Sequence, residues 1–198
     1  MLLAAGAGRR MGGPKAFLSF GEKSFLEVLI EAVLESSVDG LVVVASRAVE
    51  EVLSGNLPED CCIAVNPDPD SEMLASVRLG LHEARSSFDL ADDDGVMILL
   101  CDQPQVSAGT ITTCAEAFRL PRRPPGILIA TYQGRRGHPA VFRHDLLAKI
   151  DPWPPGRRLN ELAALHPNEI RELPIATASF PIDVNTPQDY DRLRRDTD

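Results

Sequence analysis

The chain has 198 residues, 44% hydrophobic and 25% charged, with a formal net charge of -9. That length suits one α/β domain with a proper core, and the acidic balance argues against a nucleic-acid polymer as partner, because such proteins carry a basic footprint. No apolar run approaches the eighteen or so residues that a membrane helix needs, and no charged segment precedes an apolar one at the start, so a cytoplasmic protein is expected.

Leu3, Ala4 and Ala5 run directly into Gly6-Ala7-Gly8, then two arginines, then Gly12-Gly13-Pro14-Lys15. This pattern predicts a short strand emptying into a glycine-rich loop, whose backbone can take φ > 0 and bring its N–H groups close to an anion. Arg10 and Lys15 add positive charge aimed at the same place. A nucleotide's phosphates are therefore the first hypothesis, against a purely structural glycine turn. The dinucleotide fingerprint fits poorly: it wants an acidic residue at the end of the second strand to hold a ribose, and LVVVAS ends in Ser46-Arg47. The P-loop pattern also fails, since Lys15 follows Pro14 and precedes Ala16.

Ser24 with Glu27 forms a capping box ahead of an apolar stripe (Phe25, Leu26, Val28, Leu29, Val33, Leu34), which predicts a helix over 25–36. The β-branched run LVVVA after Gly40 reads as a strand buried on both faces, 47–54 as a helix and 61–66 as a third strand. Alternation of this kind implies a mostly parallel, doubly wound sheet with helices on both faces. Pro67 and Pro69 forbid regular structure. Asp70 or Ser71 then caps a helix that buries Leu74, Val77, Leu79 and Leu81.

Gly95 to Asp102 is a continuous apolar strand ending in a carboxylate. Ligand crevices of open α/β sheets lie beyond the carboxyl ends of the strands, so Asp102 is delivered to the edge that carries the glycine loop. A carboxylate there needs a compensating cation, and Mg²⁺ on a triphosphate, which takes only one or two protein carboxylates, is one. Helix capping is the plainer explanation. Ser107 caps the next helix, with Thr110, Ile111, Cys114, Ala115 and Phe118 inward. After a proline joint, 126–132 is a strand, Gly134 to Pro139 a loop, and Ala140-Val141-Phe142 another strand. Two short helices and a strand fill 144–174. Thr186, Pro187 and Asp189 start a last helix to about Arg195, and alternation sets Asp183 and Asn185 on one side of the strand before it. The four cysteines have no C-x-x-C spacing and read as buried reduced thiols; the four histidines form no H-x-x-x-H pair.

Taken together, Leu3 to Lys15 resembles the signature loop of the nucleotidyltransferases with a MobA-like fold, roughly L-A-[AG]-G-x-[GS]-x-R-M-G-x-x-K. The resemblance implies a single nucleotidyltransferase domain over 1–198, with the loop (Leu3, Ala4, Ala5, Gly6, Gly8, Arg10, Lys15) around the triphosphate of CTP or GTP. It implies Asn66 and Ser76 against the nucleotide, although Glu72 stands where the family has glycine. Asp102 in strand-D-x-P and Asp183 with Asn185 in a D-x-N-T-P stretch fall on the family's metal ligands, here for Mg²⁺. Gly137 and His138, in G-H-P-x-x-F, fall on the acceptor side, which in the molybdenum-cofactor branch binds molybdopterin. In relatives several residues precede the L-A-A-G, so strand one is short here or translation starts upstream of Met1.

The implied activity is Mg²⁺-dependent transfer of a nucleoside monophosphate from a triphosphate to molybdopterin, with a molybdoenzyme as possible client. L-A-A-G leans to the cytidylyl branch, and Arg10, Lys15 and Asp102 are the expected catalytic residues. Cytidylyl transfer to a sugar or polyol phosphate would want D-A-A-R-P where the chain has Asp102-Gln103-Pro104. Two rival functions are a non-catalytic carrier of the finished cofactor and an NAD-type dehydrogenase, which Ser46 disfavours.

Overall fold

In the computed structural model, the described residues are 1–55, 57, 58, 60–68, 70–175 and 183–197, without the side chains of residues 10, 196 and 197. The strands are β1 (Leu2–Ala4), a small hairpin of β2 (Ser19–Phe20) and β3 (Lys23–Ser24), β4 (Leu41–Ala45), β5 (Cys61–Val65), β6 (Gly95–Leu100), β7 (Ile127–Tyr132), β8 (Arg135–Arg143) and β9 (Ile170–Pro174). The helices are α1 (Phe25–Leu34), α2 (Arg47–Leu53), α3 (Met73–Ser87), α4 (Ala108–Arg119), α5 (His144–Leu147), α6 (Asn160–Leu165) and α7 (Pro187–Thr197).

Seven strands form the main sheet in the order β5-β4-β1-β6-β8-β7-β9. β1, β4, β5 and β6 are mutually parallel, and β8 runs against both β6 and β7. The reversal comes from a two-residue connection, Gln133 (φ 49) and Gly134 (φ 76). A link that short with φ > 0 at both positions can only fold the chain back as a hairpin. The strand therefore begins at Arg135, and the expected loop over 134–139 is mostly strand: Gly137 and His138 lie within β8.

The apolar run of β4 divides by alternation. Leu41, Val43 and Ala45 join the core under α1 and α4, whereas Val42 and Val44 join the one under α3, and all five are buried. Both faces are covered, as β-branched runs without polar alternation require. The capping box at Ser24 forms, with Glu27 N donating to Ser24 Oγ at 3.3 Å and Ser24 N to Glu27 Oε2 at 2.7 Å. Ser107 and Thr186 also cap as expected. The start of α3 differs: its N-cap is Glu72, because Ser71 is drawn instead to the Asn66 side chain. No strand forms over 183–185. That segment is tied to the sheet by Val184 N donating to the Asp102 carbonyl at 3.0 Å; residues 176–182 lie outside the described set.

Met1 sits at the inner end of β1, its amine donating to the Met97 carbonyl at 2.8 Å. Complete burial pushes this amine down to about 5. The four cysteines are free thiols, and burial raises Cys61 and Cys114 to about 11 and Cys101 to about 12.

Candidate active site

The chain leaves β1 toward β4 and β5 on one side and returns at β6 on the other, so the sheet has its switch point between β1 and β6. Side chains and backbone beyond the carboxyl ends of these two strands face a common opening. A cleft of about 250 Å³ lies there, walled by the glycine loop, by the Asn66–Ser76 region and by Leu100-Cys101-Asp102. Leu3, Ala4, Ala5, Gly6, Gly8, Lys15, Asn66, Ser76 and Asp102 all line it. The Arg10 side chain lies outside the described residues.

Gly8 holds the loop shut. At φ +59 its carbonyl accepts from Met11 N at 2.8 Å and Gly13 N at 3.3 Å, and a Cβ built on it would stand 1.8 Å from the Gly13 oxygen. No other residue fits there. Gly6 is the opposite case: a Cβ there would meet nothing within 4 Å, so the fold does not require glycine and only the cleft loses room.

Lys15 reaches across the opening. Its Nζ donates to Asp102 Oδ2 and to Asn185 Oδ1, each at 2.8 Å, linking loop, strand end and C-terminal segment through one ammonium. Lys15 and Asp102 are both about 20% exposed, so water screens this pair incompletely, and a hydrogen bond between charged groups of this kind contributes about 1.5–3 kcal/mol. Asp102 Oδ1 is buried and has no hydrogen-bond partner among the described residues. Asp183, exposed on the same side, accepts from Gln103 Nε2 at 2.5 Å. His138 feels the negative charges of both Asp183 and Asp102, but burial outweighs them and holds its pKa below the usual imidazole value, so the ring is neutral at pH 7.

On the opposite wall Asn66 Nδ2 donates to Ser71 Oγ at 2.7 Å and Ser76 Oγ at 2.9 Å, and its Oδ1 accepts from Asp68 N at 3.1 Å. These bonds set the shape of the wall, and both serines line the cleft. Glu72 accepts from Gly156 N at 3.1 Å, which docks the 153–158 loop beside this wall. Arg157 in that loop lies over the Trp153 ring, 3.9 Å from its centre.

The structure thus brings Lys15, Asp102, Asp183, Asn185 and His138 to one end of the sheet. Gly137, the residue before His138 in β8, is half-buried. Among the described residues no three His, Cys, Asp or Glu side chains gather as a metal cage. Two carboxylates, an amide and the oxygens of a bound triphosphate are, however, a donor set that suits Mg²⁺, and the partnerless Asp102 oxygen is a place for one bond to it. Gln103 is a polar contributor that no sequence motif marks; its adjacency to Asp102 at a strand end is the signal that could have found it.

Fold and cleft together define an open α/β protein with its ligand crevice at the sheet's switch point. The chain belongs to the MobA-like NTP transferase family, whose domain profile matches residues 1–170. It is 32% identical over 150 residues to nicotine blue oxidoreductase of Paenarthrobacter nicotinovorans, covering 72% of this chain and 69% of that one. It is 30% identical over 120 residues to a probable molybdenum cofactor guanylyltransferase of Bacillus mycoides, covering 59% of this chain and 54% of that protein. Among solved structures, Rv0371c from Mycobacterium tuberculosis superposes with a TM-score of 0.82 at 24% identity, over 98% of this chain and 95% of that one.

Proposed function

We propose that this chain is a Mg²⁺-dependent nucleotidyltransferase that moves a nucleoside monophosphate, CMP by preference, from a triphosphate to the phosphate of a molybdopterin-type acceptor. An acceptor phosphate oxygen bonds to the α-phosphorus, the bond from that phosphorus to the bridging oxygen breaks, and pyrophosphate leaves. The observation that carries this reading is Lys15 spanning from the glycine loop to Asp102 and Asn185 in one cleft. The acceptor is already an anion at neutral pH, so the obstacles are charge repulsion and alignment, not proton removal.

The glycine loop and Arg10 would hold the phosphates, with Lys15 exchanging a carboxylate oxygen for a phosphate oxygen. Asp102 and Asp183, with Asn185, would hold Mg²⁺, which when bound neutralises charge on the triphosphate. Asn66 and Ser76 would bound the nucleoside, and His138, neutral and beside Gly137, would meet the acceptor. Thermal shifts with each of the four nucleoside triphosphates plus Mg²⁺ test the first half: a ligand at a hundred times its Kd adds about 2.7 kcal/mol. Pyrophosphate release from CTP or GTP with molybdopterin tests the second. Binding without pyrophosphate would instead point to a carrier that hands the cofactor to a molybdoenzyme.

One observation favours a second reading, reduction by a nicotinamide cofactor: the 32% identical relative is a nicotine blue oxidoreductase. Against it, Ser46 at the end of β4 is spent capping α2, accepting from Val49 N, and no carboxylate stands at that position to hold a ribose. Titration of NADH and NADPH fluorescence separates the two readings.

A further inference from the structure

We propose that Gln103 is a positioning residue that holds the Asp183 carboxylate toward Asp102, so that acids from two distant parts of the chain face one cation; this rests on the nucleotidyltransferase reading above. Gln103 follows Asp102 directly and is only 3% exposed. Its Nε2 donates to Asp183 Oδ1 at 2.5 Å across eighty residues of sequence. The amide orientation is forced, because rotating it would set a carbonyl oxygen against a carboxylate. Its Oε1 is then left buried without a hydrogen-bond partner, so the contact to Asp183 is the side chain's single polar engagement among the described residues.

The surroundings explain why such a clamp is needed. Asp183 is itself exposed, in a segment without regular structure that is anchored next door by the buried Val184 side chain and by Val184 N on the Asp102 carbonyl. These two contacts bring the segment to the strand end but by themselves leave the Asp183 side chain free to turn into water. Gln103 removes that freedom by occupying one oxygen and leaving the other available. Asn185 is fixed in the same way from the other side by Lys15. Each contributor from the C-terminal segment therefore has its own partner at the end of β6 or in the glycine loop.

The test measures Mn²⁺ binding by electron paramagnetic resonance, with nucleoside triphosphate present, in the wild type and in Gln103→Met, Gln103→Leu, Asp183→Asn and Asp102→Asn. Removing a group that orients a metal ligand weakens affinity by roughly tenfold or more. Gln103→Met should show that loss, with unchanged thermal stability of the metal-free protein. Gln103→Leu, which also lacks the amide and brings no new metal ligand, should lose as much and serves if the methionine variant does not fold. Combining Gln103→Met with Asp183→Asn should lose no more than Asp183→Asn alone. Additive losses, or wild-type Mn²⁺ affinity in both Gln103 variants, overturn the proposal. If Asp102→Asn weakens Mn²⁺ binding while the Gln103 variants do not, the metal reading stands and the role of Gln103 falls. If Asp102→Asn is also without effect, both fall.

Discussion

Gly8→Ala against Gly6→Ala isolates what the glycine loop does. At Gly8 the added methyl would meet the Gly13 oxygen at 1.8 Å and its carbonyl carbon at 2.8 Å, at φ +59. Left-handed backbone costs alanine about 1–2 kcal/mol, and relieving the clash means withdrawing Gly13, with loss of a bond to the Gly8 carbonyl worth about 1 kcal/mol. The expected loss is about 2–3 kcal/mol, expressed as an opened loop, and triphosphate affinity falls with it. At Gly6 the methyl enters open space and φ is not left-handed, so stability holds and only the cleft narrows. Urea unfolding gives the first quantity, and the thermal shift on adding triphosphate and Mg²⁺ gives the second. Wild-type stability and an undiminished ligand shift in Gly8→Ala would refute the account of the loop.

Lys15→Met should cut pyrophosphate release by about 10²–10³-fold, the size of effect seen when a placed donor to developing charge is lost, while costing no more than about 3 kcal/mol of stability; steady-state rates near wild type would contradict it. Arg143 is a structural counterpart, only 3% exposed, and its guanidinium meets Asp145 at 2.7 Å, Glu169 at 3.3 Å and the Pro124 carbonyl at 3.1 Å. Arg143→Met should lose about 1–2 kcal/mol in denaturant titrations, mainly the charge-assisted bonds of the buried guanidinium, since Asp145 and Glu169 are each 38% exposed and water takes them up, with kcat unchanged in the protein that remains folded. In the protein beginning at Met1, the amine at about 5 when folded and about 8 when unfolded makes the unfolded chain bind the extra proton between those values. Stability should therefore rise with pH from 5 to 8, by about 4 kcal/mol at 1.36 kcal/mol per unit, and level off above; an N-terminally acetylated protein that keeps the same slope would assign it to other groups.

Local chemistry made much of the fold legible. Ser24 with Glu27, Ser107, and Thr186 with Asp189 are capping signals satisfied within four residues of themselves, so they read the same in sequence and in space. The apolar runs at Leu41–Ala45 and Gly95–Leu100 imply burial on both faces, and that requirement alone yields a sheet covered by helices. Where a signal competes with a distant partner, sequence fails. Ser71 looks like a cap but is held by Asn66, and the 134–139 stretch looks like a loop because its glycines and proline conceal a hairpin turned at Gln133-Gly134.

What the sequence determined by itself is a glycine loop after a strand, an acid after another, and the order of elements joining them, since each depends on residues adjacent in the chain. Which groups meet was decided by the tertiary structure. Lys15 finds Asn185 across 170 residues and Gln103 finds Asp183 across eighty. Contacts so remote leave no periodicity or spacing to read, because they exist only once packing of the sheet has brought the strand ends to one edge.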